Sequence, residues 1–133
     1  CGGLRAQYQV NCLSDNGDTM TFRVVGYGKN ARKASADAEL SVIKALMFYG
    51  IPGTQQRVAM VSETESKAMK DHKKFLESFY KADYQHVIIR SVIVRRFSKD
   101  ENKQKSITLD VTVNIRALRS ELERNGLIRK FGL

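Results

Sequence analysis

Alternating apolar and polar residues mark four segments that predict β-strands arranged as two hairpins. The first two segments are 6–13 and 20–24, and the turn-forming residues 14–18 lie between them. The other two segments are 84–97 and 107–115, and both are rich in valine and isoleucine. The last segment alternates most cleanly, which predicts a strand with one buried face.

The predicted strand 84–97 has two unequal faces. One face carries four apolar residues and is expected to be the more buried one: Val87, Ile89, Ile93 and Phe97. The other face mixes aliphatic residues with basic ones and is predicted to be only partly buried: Ile88, Val92 and Val94 with His86, Arg90 and Arg96.

Apolar residues spaced by three and four predict two helices between the hairpins and a short one after them. The first covers residues 31–49, and alanines fill the first half of its apolar stripe, so it can lie close to a sheet. The second ends near residue 82, and the short helix covers 117–125. Residues 51–62 fit either a short strand or a buried loop.

This order of elements predicts an α+β domain built as a two-layer sandwich. Its four-stranded, mainly antiparallel sheet would carry two helices on one face and a short C-terminal helix. The chain has 133 residues, which suits one domain with a sizeable core. We therefore predict a single domain over residues 6–133 and a short tether over residues 1–5.

The amino-acid composition excludes some classes of protein but does not identify the function. Hydrophobic residues make up 42% of the chain, which argues against disorder. No apolar run reaches the roughly 18 residues that a membrane-spanning helix needs. The formal net charge of +9 suits nucleic acid, phosphate-rich lipid headgroups or an acidic protein partner.

The positive charge lies mostly in the second half of the chain. Residues 84–133 hold 11 Lys+Arg and 5 Asp+Glu, which is +6 of the +9 total. A solvated basic surface would account for much of this charge, and a docking face is the functional interpretation. The predicted docking face lies around the tip of the second hairpin and on the last helix: Arg95, Arg96, Lys99, Lys103, Lys105, Arg116 and Arg119.

The first residue is Cys1, followed by Gly2 and Gly3. Lipoprotein maturation produces an N-terminal cysteine of this kind, and the glycines would form a flexible tether. The alternative is a trimmed chain end or a remnant of tagging or conjugation. Cys12 lies on the apolar side of its strand and is interpreted as structural, and a Cys1–Cys12 bridge requires that Cys1 carry no lipid.

Catalytic and metal-binding patterns do not stand out in the sequence. His72 and His86 are interpreted as packing or surface residues, because periodicity places no nucleophile or carboxylate beside them. The two cysteines and two histidines lack the spacing of zinc ligands. We expect no enzyme, no metal and no cofactor other than a covalent lipid on Cys1.

Residues 50–53 form a G-x-x-G sequence between the two predicted helices. KH domains place such a loop there and clamp single-stranded nucleic acid with it. The length of the first helix, the proline in the loop and the long gap before the second helix argue against this interpretation. A KH-like nucleic-acid-binding domain is kept as the alternative.

The order of the predicted elements resembles that of a known family. A strand ends at residues 26–28, a helix with regularly spaced alanines follows, and a long pair of strands comes later. These alanines are Ala31, Ala34, Ala38 and Ala45. Over about residues 19–125 this order resembles small outer-membrane lipoproteins of the flagellar basal-disc type. It is also similar to the N-terminal domain of flagellar T-ring proteins and, more remotely, to curli-secretion channel lipoproteins. The resemblance implies a non-catalytic envelope domain assembled into rings or larger complexes, with Cys1 as its lipidated residue.

The resulting hypothesis is a lipid-anchored, non-catalytic module at the outer membrane, on its periplasmic or surface face. It would dock into a larger membrane-associated assembly through sheet edges and the basic face. Its expected partners are the membrane, other envelope proteins and further copies of itself in an oligomer or ring. Nucleic acid is the partner only under the KH-like alternative.

Overall fold

A computed structural model describes residues 3–4 and 10–128 of the chain. Five strands form one sheet: β1 Gly3–Leu4, β2 Val10–Asp15, β3 Thr19–Tyr27, β4 Ile88–Lys99 and β5 Lys105–Asn114. Four α-helices and a 3₁₀ helix complete the described fold: α1 Ala31–Phe48, α2 Glu65–Asp71, α3 Lys73–Lys81, the 3₁₀ helix Asp83–Val87 and α4 Ile115–Arg124. No described helix is both long and apolar enough to cross a membrane.

The strand order in the sheet is β1-β2-β3-β5-β4, and every neighbouring pair is antiparallel. The two predicted hairpins are therefore confirmed as β2–β3 and β4–β5. They join through β3 and β5, which lie side by side in the centre. Strand β4 forms one edge of the sheet, and β1, a two-residue strand within the predicted tether, extends the other edge.

Helix α1 packs across β3 and β5 and forms the second layer, so the α+β two-layer prediction is confirmed. The alanine stripe acts as expected, because Ala34 and Ala38 are fully buried. A Cβ atom added to Gly26 of β3 would lie 2.1 Å from the carbonyl oxygen of Ala34. Small residues on both layers therefore let the helix and the sheet approach each other closely.

One contiguous core fills the space between the layers. Strands β3 and β5 supply the sheet side, and helices α1, α3 and α4 supply the other. The largest fully buried side chains include Met20, Phe22, Leu46, Leu76, Phe79, Leu109, Leu118 and Leu122. The opposite face of the sheet, here the outer face, is polar: Arg23 forms a two-pronged ion pair with Asp110 at 2.8 and 3.0 Å.

The helical region after α1 differs from its prediction in two places. The single second helix is divided at His72, whose backbone angles (φ −130°, ψ 39°) end α2 and begin α3. Residues 83–87 form a 3₁₀ helix, so β4 begins at Ile88 and not at residue 84. The buried residues of this helix, Tyr84 and Val87, are three apart, which is the spacing of a 3₁₀ turn and not of one face of a strand.

Residues 51–62 form an irregular loop and no strand; Ile51, Met60 and Val61 are buried, whereas Val58 is 66% exposed. The backbone amides of Met60 and Val61 donate to the carbonyl oxygens of Leu46 and Met47 at 3.1 and 2.8 Å. These carbonyls belong to the last turn of α1, where the helix itself supplies no partner. The end of this loop thus folds back to cap α1, and the segment is neither of the two expected forms, a short strand or a buried loop.

Candidate functional site

Strand β4 is exposed along most of its length, although it is the richest in aliphatic residues. The exposed fractions of Ile89, Val92, Ile93 and Val94 are 55%, 48%, 59% and 45%. The expectation that Ile89 and Ile93 lie on a buried face is therefore wrong. A long apolar edge strand that is open to solvent is a surface on which another chain can pair.

Irregular pairing explains why the alternation along β4 misled the prediction. Ile88 pairs with Val113 but Arg90 pairs with the next residue, Thr112, so Ile89 is an extra residue in β4. The pairing shifts again between Ile93 and Arg95. Each such bulge exchanges the two faces for the residues that follow it.

Between the bulges, residues 90–93 pair regularly with β5. Ser91 and Ile93 lie opposite the buried Val111 and Leu109, so they are on the α1 side of the sheet. Arg90 and Val92 are on the outer face. The regular stretch therefore presents one aliphatic side chain on each face, and neither is covered.

Helix α1 reaches β4 through a polar contact. The hydroxyl of Ser91 donates to Glu39 Oε2 at 2.6 Å, and the hydroxyl of Tyr84 donates to Glu39 Oε1 at 3.3 Å. Burial, followed by the nearby Glu39 charge, raises the pKa of Tyr84 above its ordinary value, so it remains a donor at neutral pH. Glu39 thus holds β4 in place without covering its apolar side chains.

The predicted basic residues of the second hairpin cluster at its tip. Arg95, Arg96 and Lys99 are on β4, Lys103 is in the turn with a φ of 63°, and Lys105 begins β5. All five are exposed, as is Arg90, which the predicted face omitted. Within the described part of the chain, none of the six forms an ion pair.

The nearby carboxylate of Asp100 is engaged by the turn itself. Its Oδ1 accepts hydrogen bonds from the backbone amides of Asn102 and Gln104, both at 2.8 Å. This leaves the hairpin cations available to an external anionic group. We call the exposed strand Ile88–Lys99 together with Lys103 and Lys105 the β4 edge.

The other two predicted residues, Arg116 and Arg119, lie elsewhere. They are on α4, which begins where β5 ends, whereas Lys105 is at the start of that 10-residue strand. A strand rises about 3.4 Å per residue, so the two groups are about 30 Å apart. Arg119 donates to Gln56 Oε1 at 2.8 Å and, with Arg116, lines a separate cleft of about 320 Å³.

The G-x-x-G residues lie in the long connection 49–64 between α1 and α2. Gly50 is buried, and its amide donates to the carbonyl oxygen of Ala45 at 2.8 Å. The amide of Ile51 donates to the carbonyl oxygen of Gln56, also at 2.8 Å. These amides therefore serve the loop and the end of α1, and they are not free to contact a nucleotide backbone.

Cys12 is buried, with 8% of its surface exposed, as expected of a structural cysteine. Its Sγ donates to the carbonyl oxygen of Ser14 at 3.4 Å, and burial raises the pKa of its thiol above the ordinary value. An elevated pKa keeps the thiol protonated and unreactive at neutral pH. Cys1 and its predicted lipid lie outside the described residues, as does any bridge between the two cysteines.

Among the described residues, no three acidic, histidine or cysteine side chains lie close enough together to hold a metal ion. His72, at the junction of α2 and α3, lies 3.9 Å from Glu63 through its Nε2. His86 is exposed near the end of the 3₁₀ helix. Both histidines occupy packing or surface positions.

Comparisons with known proteins identify no relative. No protein-family model matches the chain, and neither a curated protein nor a solved structure matches it. The function must therefore be argued from the β4 edge itself.

Sequence reasoning missed the main feature of this edge, which is the exposure of its aliphatic residues. One signal was present, because Arg95 and Arg96 are adjacent in an otherwise aliphatic strand. Two neighbouring arginines are incompatible with one fully buried face, so they mark either a bulge or an uncovered edge.

Proposed function

We propose that this chain is a non-catalytic, lipid-anchored module of the bacterial outer membrane that docks into a larger protein assembly through the β4 edge. The observation that supports the docking is the combination, on one exposed strand, of four exposed aliphatic residues and of cations that form no ion pair within the described residues. Backbone groups at a sheet edge offer hydrogen bonds, aliphatic side chains offer area, and cations offer selectivity.

Docking accounts for the exposed aliphatic residues of β4, which a free, solvated edge does not need. Sheet edges are ordinarily kept short, covered, charged or bulged, because open edges pair with other chains. Strand β4 has 12 residues and is exposed on both faces between its bulges. Its cations oppose random self-pairing, so the edge favours a partner of complementary charge.

The anchor is the second part of the proposal. Burying each methylene of a lipid chain contributes about 0.8 kcal/mol, and stable attachment takes more than one chain. A mature lipoprotein cysteine carries two or three acyl chains, which is sufficient. Such an anchor would leave the β4 edge free to meet protein partners near the membrane.

Intact-mass spectrometry of the protein isolated from its native membranes tests the anchor. We expect the mass to exceed that of the polypeptide by a diacylglyceryl group, with or without an additional acyl chain, and the modified residue to be Cys1. The matched control is Cys1→Ser, which should be recovered without lipid. An unmodified Cys1, or a natural chain that continues upstream without a lipidation signal, would refute the anchor.

Site-specific photo-crosslinking in the cells that produce the protein tests the docking. A photoreactive residue at Val92 should form a discrete protein adduct, whereas one at Lys74, exposed on α3, should not. The double charge reversal Arg90→Glu/Arg95→Glu should reduce the Val92 adduct at least about tenfold, because attraction becomes repulsion. No adduct at Val92, or equal adducts at both positions, would contradict the proposal.

A further inference from the structure

We infer that the occupant of the β4 edge is an extended peptide segment in which acidic residues flank apolar ones, and that it adds to the sheet as a further strand. The inference rests on the proposed function and specifies its partner. Three properties of the edge support it: the open backbone, the pattern of side chains and the sign of the charge.

The backbone of residues 90–93 is suited to pairing on its free side. These residues pair in register with β5 on one side, and no described strand lies on the other. In a strand, alternate amide and carbonyl groups point away from the existing neighbour and remain available. Because bulges flank the stretch, the added strand would pair closely over only about four residues.

The side chains beside this stretch predict the composition of the added strand. On the outer face, Arg90 and Arg95 flank Val92. On the α1 side, the half-exposed Ile93 lies next to Ser91. Cross-strand pairs of opposite charge or of two apolar residues each contribute about 0.2–1 kcal/mol. The favoured segment therefore places acidic residues beside the arginines and apolar residues beside Val92 and Ile93.

The sign of the charge separates this partner from a second copy of the chain. Strand β4 contains Arg90, Arg95, Arg96 and Lys99 and has no acidic residue. Pairing two β4 strands would double this positive charge along one seam, and like charges across strands are destabilising. An acidic segment removes that repulsion.

A lipid surface or a nucleic acid would supply negative charge to the cations, but it would leave the backbone groups of the strand without hydrogen-bond partners. Neither can pair with the outward amide and carbonyl groups in the manner of a β-strand. Only a peptide uses the backbone, the aliphatic side chains and the cations of the β4 edge together. This difference makes the inference testable with backbone-modified peptides.

The experiment uses the whole chain and a fluorescent peptide of roughly eight residues in which glutamates flank a central pair of valines. Binding is measured by fluorescence anisotropy, and amide hydrogen exchange locates the site. We expect saturable binding that weakens with salt, and slower exchange in residues 90–93. A peptide of the same sequence with alternate backbone amides methylated should bind at least about tenfold more weakly, because it loses ladder hydrogen bonds.

Two charge-reversed variants supply the matched comparison. Arg90→Glu/Arg95→Glu should weaken binding at least about tenfold. Lys70→Glu/Lys74→Glu changes the net charge equally on the exposed side of α2 and α3 and should leave binding unchanged. Equal losses in both variants would show attraction to net charge alone and would overturn the inference.

Other results would also overturn it. These are equal binding of the methylated peptide, absence of peptide binding at low salt, a concentration-dependent dimer whose formation protects residues 90–93, and binding only to anionic vesicles or single-stranded oligonucleotides. If the Val92 crosslink forms in cells while the peptide fails to bind, docking stands and the partner uses a folded surface. If the crosslink is absent, the proposed function itself fails.

Discussion

Replacing Gly26 with alanine should lower the free energy of unfolding by about 3 kcal/mol. The added methyl group would lie 2.1 Å from the carbonyl oxygen of Ala34 and 2.6 Å from the Cβ of Ala38. The first of these atoms is backbone and cannot rotate away, so α1 must move off β3. That movement would loosen the packing of α1 over the centre of the sheet.

Urea denaturation followed by circular dichroism measures this effect. The matched control is Val25→Ile, which also adds one methyl group, but on the outer face of the same strand. Val25 is only partly buried, so its replacement should change the stability by no more than about 0.5 kcal/mol. Similar, small effects of both substitutions would show that α1 does not approach β3 as closely as described.

Replacing Gly50 with alanine should also destabilise the protein by about 3 kcal/mol, for two reasons. Gly50 has a φ of +79°, which costs an L-residue with a side chain about 1–2 kcal/mol. Its added Cβ would lie 2.3 Å from the carbonyl oxygen of Arg57. The loop that returns Met60 and Val61 to the end of α1 would therefore be displaced.

The control for Gly50 is Gly17→Ala in the β2–β3 turn. Gly17 has a similar φ of +89°, but nothing lies within 4 Å of an added Cβ. Its replacement should cost only the conformational part, about 1 kcal/mol. Urea denaturation compares the two, and single-stranded RNA and DNA binding is measured in parallel. A Gly50→Ala variant that is stable but loses nucleic-acid binding would contradict this prediction and support the KH-like alternative.

Much of the fold was predictable because local patterns and tertiary packing agree. Both hairpins follow from alternation around turn-forming residues, and α1 begins as predicted at Ala31 after the capping residue Asn30. The buried alanines of α1 indicated a close approach to the sheet before Gly26 was placed opposite them. In these regions the helices and strands are regular, so the spacing of apolar residues along the sequence correctly indicates which side chains are buried.

Prediction failed where one residue changes the register or the path of the backbone. His72 divides a helix whose apolar stripe continues through it, so periodicity gave no warning. Residues 83–87 form a 3₁₀ helix whose buried residues, Tyr84 and Val87, are three apart, whereas a strand would place them on opposite faces. At Ile89 and Val94, one extra residue reverses the faces that alternation assigns.

The candidate site was predictable in composition but not in arrangement. The basic residues at the hairpin tip are neighbours in sequence, so Arg95, Arg96 and Lys99 were expected together. Arg116 and Arg119 were assigned to the same face, but the length of β5 separates them from the tip. Arg90, Val92 and Ile93 became part of the site only when β4 proved to be an edge strand.

By itself, the sequence determined the two hairpins, the long α1 helix, the α+β class and the concentration of positive charge around residues 95–105. These properties depend on interactions between residues that are close along the chain. Only the tertiary structure decided that β4 lies at the edge of the sheet, beyond the cover of α1. Strand order and helix coverage depend on contacts between distant segments, and alternating apolar residues look the same in a covered strand and in an open one.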